Sequence, residues 1–254
     1  MSVDTRRPLA LVTGASRLRG IAAAIALGLG GTGWDVATTY WRPYDAAMPW
    51  GSASADVERL AAQLRERGAA TISVEADLAD IATPAEVFDF VEAELGPVTA
   101  LIMAHCHDLE SGILDTTVES FDLHFAINAR ATWLLIKEFG LRYRGEWGRG
   151  RIIALTSDAV VGNMPYGASK GALDRITLVA ATEFKHLGIT ANVINPGATD
   201  TGWMSDEQMA EFGRHILLGR VSRPEDCANL VNFLCSEQGG WINGQLLLSN
   251  GGLP

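Results

Sequence analysis

Unbroken apolar runs, longer periodic segments between them, and a glycine turn directly after the first run predict an α/β fold. The predicted architecture is one doubly wound parallel sheet with helices on both faces. A strand without polar alternation must be covered on both sides. Strand–helix alternation then sets such strands parallel, with right-handed crossovers.

The elements follow in order along the chain. LALVTG (Leu9–Gly14) reads as a buried strand, with a helix from about Gly20 to Gly30. DVATTY (Asp35–Tyr40) is the second strand and VERLAAQLRERG (Val57–Gly68) an amphipathic helix. TISVEADL (Thr71–Leu78) and VTALIMA (Val98–Ala104) are further strands, with the helical AEVFDFVEAELG (Ala85–Gly96) between them. A long helical region from about Val118 to Tyr143 leads to the strand RIIALTS (Arg151–Ser157). A helix near Tyr166–His186, the strand ANVINPG (Ala191–Gly197), a helix near Pro224–Cys235 and the strand QLLLS (Gln245–Ser249) complete the pattern. No repeat, low-complexity tract or linker interrupts it, so residues 1–254 read as a single domain. The stretch 201–219, rich in Met and Gly after a strand end, reads as a substrate lid.

At 254 residues the chain can bury a large core, and 48% hydrophobic with 20% charged residues is ordinary for a soluble globular protein. A formal charge of −10 argues against a nucleic-acid surface or a polybasic membrane anchor. The longest apolar stretch, IAAAIALGLGG from Ile21, is far short of the roughly 20 residues that span a bilayer. Three cysteines (Cys106, Cys227, Cys235) without a CxxC motif suit a reducing compartment. The opening MSVDTRRPLALVTG reaches its glycine turn too soon for a secretory h-region. The expected setting is the cytoplasm.

In a doubly wound sheet, ligands bind beyond the carboxyl ends of the strands. Residues 14–20, 40–45, 77, 104–107, 157 and 196–201 fall there, Ala104, Pro196 and Gly197 among them. TGASRLRGIAAAIA (Thr13–Ala26) can bring backbone close to a pyrophosphate at a helix N-terminus, although it lacks the GxGxxG form. The end of the second strand, TTYWRP, has no carboxylate to grip ribose hydroxyls before Asp45. Arg17 and Arg42 suit a 2′-phosphate instead, which favours NADPH/NADP over NAD.

Taken together these segments resemble the short-chain dehydrogenase/reductase family, in particular its 3-oxoacyl-[acyl-carrier-protein] reductase-like branch. The resemblance rests on TGASRLRGIA, Asp77-Leu78, Asn128 in INARAT, Ser157, YGASK at Tyr166–Lys170, NPGATDT at Asn195–Thr201 and the ending GQLLLSNGG. It implies a Rossmann-type domain and a homotetramer built through the long helix. It implies that Gly14, Ser16, Arg17, Gly20 and Ile21 line the phosphates, that Asp77 and Leu78 face the adenine, and that Thr199 and Thr201 face the nicotinamide carboxamide. It also implies a catalytic group of Asn128, Ser157, Tyr166 and Lys170. Three departures stand out. Leu18 and Arg19 look like an insertion before Gly20, with Ala22 where a last glycine is usual. Met103-Ala104-His105-Cys106 replaces the usual Asn-Asn-Ala-Gly, and Ser157 precedes Tyr166 by nine residues rather than about a dozen.

The chemistry of the pair can be stated from the residues. A free tyrosine, with pKa near 10, is a poor acid–base group near pH 7 unless its phenolate is stabilised. A lysine four residues on shares the helix face and can stabilise it. Of Tyr40, Tyr44, Tyr143 and Tyr166, only Tyr166 has a lysine at that spacing. Asn128 could hold a water relaying protons to Lys170, or be a satisfied polar residue inside a helix. His105, Cys106 and His107 read as pocket wall, because no further ligand stands at zinc-like spacing. Trp203, Met204 and Met209 could line an apolar pocket or belong to the core. Arg142, Arg144, Arg149 and Arg151 could dock an acyl carrier protein or form a solvated turn. The leading expectation is NADPH-dependent reduction of a ketone, with a 3-oxoacyl thioester as one candidate. A dehydratase or epimerase on the same scaffold, and a non-catalytic dinucleotide sensor, are the alternatives.

Overall fold

The computed structural model describes residues 7–159 and 161–253. Met1–Arg6, Val160 and Pro254 lie outside it, and with them the first residues of the stretch read for an export signal. Among the described residues seven parallel strands form one sheet in the order β3-β2-β1-β4-β5-β6-β7. They are β1 Leu9–Thr13, β2 Asp35–Tyr40, β3 Thr71–Glu75, β4 Val98–Met103, β5 Arg151–Leu155, β6 Thr190–Asn195 and β7 Leu246–Leu248. Each matches a predicted apolar run. In β1, β4, β5 and β6 nearly every residue is buried, as two-sided coverage requires.

Helices α1 (Ile21–Gly31), α3 (Ser54–Glu66) and α9 (Pro224–Cys235) cover one face. Ile25, Leu29, Leu64 and Val231 pack there against Val12, Val36 and Ile153. Helices α4 (Thr83–Leu95), α6 (Ala131–Arg142) and α7 (Met164–Glu183) cover the other, where Phe88, Leu135, Phe139 and Leu173 meet Leu11, Leu101 and Ile152. Phe139 is 1% exposed, and truncating such a side chain to alanine costs about 3–5 kcal/mol. The two cores fix the helices that carry the site. Because β1 pairs with both β2 and β4, the chain direction across the sheet reverses there, and a crevice opens beyond the strand ends.

Three features depart from the sequence reading. A short helix, α2 (Arg42–Ala47), follows β2; six residues begun by Arg-Pro are too few to show a period. Within 201–219, α8 (Asp206–His215) stands where only a lid was expected; its Ser205–Gln208 capping box is a legible start signal. The long helical region is interrupted by a π-helical turn at Phe125–Arg130, between α5 (Val118–His124) and α6. Such single turns are rare and lie inside longer helices, so a pattern read over the whole region does not single this one out. No helix among the described residues is long and apolar enough to cross a membrane.

Candidate active site

A cleft of about 890 Å³ lies along the carboxyl ends of the strands, near the upper end of the roughly 300–1,000 Å³ usual for small-molecule sites. Gly14, Ser16, Arg17, Gly20 and Ile21 line it from the β1–α1 turn. Asp77, Leu78 and Ala104 line it from the ends of β3 and β4. Ser157, Tyr166 and Lys170 come from β5 and α7, and Pro196, Gly197, Thr199 and Thr201 from beyond β6. Asn128 and Arg42 do not line it.

The β1–α1 turn is built for close approach. Gly14 has φ +81°, and a Cβ there would lie 2.7 Å from His105 Cα, so only glycine lets the turn pack on the β4 end. Helix α1 begins at Gly20 without a side-chain cap and without an acidic residue in its first turn. Its first N–H groups and the positive end of its dipole are therefore available to an anion. Arg17 donates to the Thr201 carbonyl and lies 4.6 Å above the Trp50 ring. An uncapped helix start, a close-packed glycine and a guanidinium on one wall fit a dinucleotide phosphate.

Arg42 stands outside the cleft lining. Its guanidinium is paired with Glu75, with Nε 3.0 Å from Oε1. The carboxylate missing from the end of β2 is supplied by β3, where it holds the arginine rather than a ribose. Arg19 is similarly paired with Asp200.

The unusual segment after β4 is internally satisfied. His105 Nδ1 meets Thr13 Oγ1 at 2.7 Å, and its Nε2 meets the Ile127 carbonyl at 3.1 Å. The ring thus ties β1 to the π-helical turn. Burial, with Lys170 adding, lowers its pKa to about 3, so the imidazole is neutral. His107 packs edge-on to His124, with centroids 4.7 Å apart, and burial lowers its pKa to about 4. Among the described residues no group of His, Cys, Asp or Glu could hold a metal ion.

Helix α7 delivers the tyrosine and lysine to one point. Tyr166 and Lys170 sit one turn apart near its start, and Lys170 Nζ lies 5.6 Å from the centroid of the Tyr166 ring. Lys170, 2% exposed, donates to the Leu155 carbonyl at 2.9 Å and keeps further N–H groups for the cleft. Ser157 Oγ accepts the Ala159 N–H at 3.1 Å, and Ser157 and Tyr166 both line the cleft despite their nine-residue spacing. Burial raises the Tyr166 pKa well above 10, Cys106 and Asp108 add to it, and the Ser157 contact opposes it. Burial lowers the Lys170 pKa, opposed by Cys106 and Asp174.

Asn128 makes three hydrogen bonds within the chain. Its Oδ1 accepts the His107 N–H at 2.7 Å, and its Nδ2 donates to the His107 carbonyl at 2.8 Å and Ser169 Oγ at 2.9 Å. The side chain is fully buried and holds the β4 loop against α7. The arginines near the end of α6 are engaged within the chain. Arg142 pairs with Asp89 and Glu138, Arg144 donates to the Leu141 and Tyr143 carbonyls, and buried Arg151 donates to Leu234. Arg149 Nε lies 4.0 Å from Glu146 Oε2, with its side chain exposed.

Several cleft residues escaped the sequence reading. Tyr44 from α2 exchanges hydrogen bonds with the Asp108 backbone, at 3.2 Å to its carbonyl and 3.3 Å from its N–H. Trp50 stacks on Trp203 with centroids 4.6 Å apart, so the α2 connection meets the segment before α8 across the cleft. Of the three residues read as pocket or core, Trp203 and Met204 line the cleft and Met209 does not. Asp108, five residues past β4, was the most legible of the omissions, since a carboxylate on that edge is a site signal.

Comparisons with known proteins agree with this fold. A family model described as enoyl-(acyl carrier protein) reductase matches residues 14–254. The chain is 32% identical over 253 residues to the uncharacterized oxidoreductase YjdA of Bacillus subtilis, covering 98% of this chain and 97% of that protein. It is 32% identical to an NADPH-dependent aldehyde reductase-like chloroplastic protein of Arabidopsis thaliana, covering 96% and 93%. Among solved structures it is similar to a blue fluorescent protein from a metagenomic library in complex with NADPH, with TM-score 0.86, 30% identity and 99% coverage of both chains.

Proposed function

The chain belongs to the short-chain dehydrogenase/reductase family of oxidoreductases, and on that premise we propose that it reduces an aldehyde or ketone to an alcohol with NADPH. The observation that carries this reading is the convergence of Ser157, Tyr166 and Lys170 on the cleft that holds the uncapped α1 start. NADPH-linked names and titles among the relatives support the cofactor.

A bound reduced nicotinamide supplies the hydride. Tyr166, kept protonated by burial, gives the proton on its Oη to the substrate oxygen as charge develops there. The Ser157 hydroxyl donates a hydrogen bond to the same oxygen, an oxyanion-type contact. The Lys170 ammonium stabilises the phenolate left behind. Arg17 and the first N–H groups of α1 hold phosphates, Asp77 and Leu78 border the adenine, and Thr199 and Thr201 border the carboxamide. Residues 201–219 close over the substrate. Loss of NADPH absorbance with a panel of aldehydes and ketones tests the reading, and no turnover of any of them would overturn it.

The functional unit is a homotetramer. Large apolar side chains stand exposed on α6 and α7 (Trp133, Leu141, Val179) and at the β7 edge (Trp241, Leu246, Leu248). An apolar sheet edge with nothing over it favours pairing with another copy. Light scattering at micromolar concentration should give about four times the chain mass; a monomer would refute the assembly.

A further inference from the structure

We propose that Asp108 sets the substrate class: the carbonyl end of the cleft accepts an uncharged aldehyde or ketone bearing a hydroxyl group and disfavours one bearing a carboxylate. The inference rests on the reductase reading above and deepens it.

Asp108 lines the same cleft as Tyr166 and Ser157. Its place is fixed from two sides. Tyr44 Oη holds its backbone, and Asn163 Nδ2 donates to its Oδ1 at 2.7 Å. One carboxylate oxygen is thus oriented by the protein, while the other has no protein donor among the contacts of this residue. Asn163, the residue just before α7, is 9% exposed and also lines the cleft. Its orientation follows from its neighbour, because only the NH₂ end can face a carboxylate. That leaves Asn163 Oδ1 as a buried acceptor without a partner. An unmet buried acceptor is costly, so a group that brings a donor to this corner gains more than one that does not.

The corner therefore offers acceptors and seeks donors. Its charge points the same way. Glu110 joins Asp108 on this wall, whereas the cations lining the cleft are Arg17 and Lys170. Arg17 donates to the Thr201 carbonyl and lies over the Trp50 ring. Lys170 is buried behind Tyr166 and bonded to Leu155. His107 beside Asp108 is neutral near pH 7, since burial lowers its pKa to about 4. A substrate carboxylate beside Asp108 and Glu110 would meet like charge, while a hydroxyl would meet the Asp108 oxygen that no protein donor occupies.

The test uses the whole protein with NADPH and three matched probes: meta-hydroxybenzaldehyde, benzaldehyde and meta-formylbenzoate. Wild type should favour the hydroxylated over the carboxylated aldehyde by at least about tenfold in kcat/KM, about 1.4 kcal/mol. Asp108→Asn, checked for its melting temperature, should bring that ratio to within about threefold. A second measurement needs no variant. As competitive inhibitors of wild type, meta-(hydroxymethyl)phenol should bind at least about tenfold more tightly than meta-(hydroxymethyl)benzoate. Equal turnover of the two aldehydes by wild type, an unchanged ratio in a folded Asp108→Asn, or equal inhibition would each overturn the inference and leave the reductase reading standing. Absence of turnover with all three probes and with the wider aldehyde and ketone panel would overturn both.

Discussion

The two ends of the cleft are built on opposite principles. At the β1–α1 end, recognition comes from backbone and positive charge: uncapped N–H groups, a glycine packed against His105, and Arg17 laid on an indole. At the α7 end it comes from side chains: Tyr166 and Ser157 line the cleft, Lys170 donates to the Leu155 carbonyl, and Asn163 holds Asp108. The first suits a ligand of fixed, highly charged chemistry. The second suits a neutral group whose charge appears only during reaction. Binding of the cofactor and reaction of the substrate are thereby placed on separable structural elements.

That separation can be broken or sharpened by substitution. The largest effect is expected from Tyr166→Phe, which removes the proton donor while leaving the α1 end intact. Turnover should fall by about 10²–10⁴-fold, with NADPH affinity by fluorescence titration nearly unchanged. A parallel loss of NADPH binding would show that the two ends are one unit. Ser157→Ala should lower kcat by about 10²–10³-fold, as loss of an oxyanion-type donor does. Retention of more than about a third of wild-type kcat would make the serine a bystander.

Arg17→Ala acts at the other end. It should leave kcat with saturating NADPH largely intact and reduce the preference for NADPH over NADH by about tenfold, since a charge-assisted contact contributes about 1.5–3 kcal/mol. An unchanged cofactor ratio would place the phosphate elsewhere. The smallest effect concerns stability. His105 is neutral when folded, with pKa lowered from 6.5 to about 3, so the unfolded chain binds more protons between those values. Stability is therefore full above about pH 6.5 and lost as pH falls toward 3, by about 1.4 kcal/mol per site at pH 5.5. His105→Asn should flatten the urea midpoint between pH 7.5 and pH 5.5, and an equally steep dependence in that variant would assign the slope to other groups.

How far the sequence could be read follows from what each residue needs. The strands were legible because two-sided burial leaves an unbroken apolar run, and β2 and α9 begin and end where the pattern placed them. Tyr166 and Lys170 were legible because helical spacing alone sets them on one face. The Arg42–Glu75 pair was not legible because Glu75 lies a strand away, a neighbour known only once β2 pairs with β3. The bonds of Asn128 to the His107 backbone were not legible because the two residues are 21 apart in sequence. Trp50 carried no local signal; its role appears only when Trp203 reaches it from more than a hundred residues away.

The stack of Trp50 on Trp203 has an optical consequence. Two indoles with centroids 4.6 Å apart and planes inclined by 32° act as coupled oscillators. Their near-degenerate transitions split into paired circular-dichroism bands of opposite sign, a signature that neither ring produces alone. The pair bridges the α2 connection and the segment before α8, so separating the two sides of the cleft extinguishes the couplet, and joining them restores it. The protein thus carries its own spectroscopic gauge of whether the cleft is spanned, readable in real time without a label.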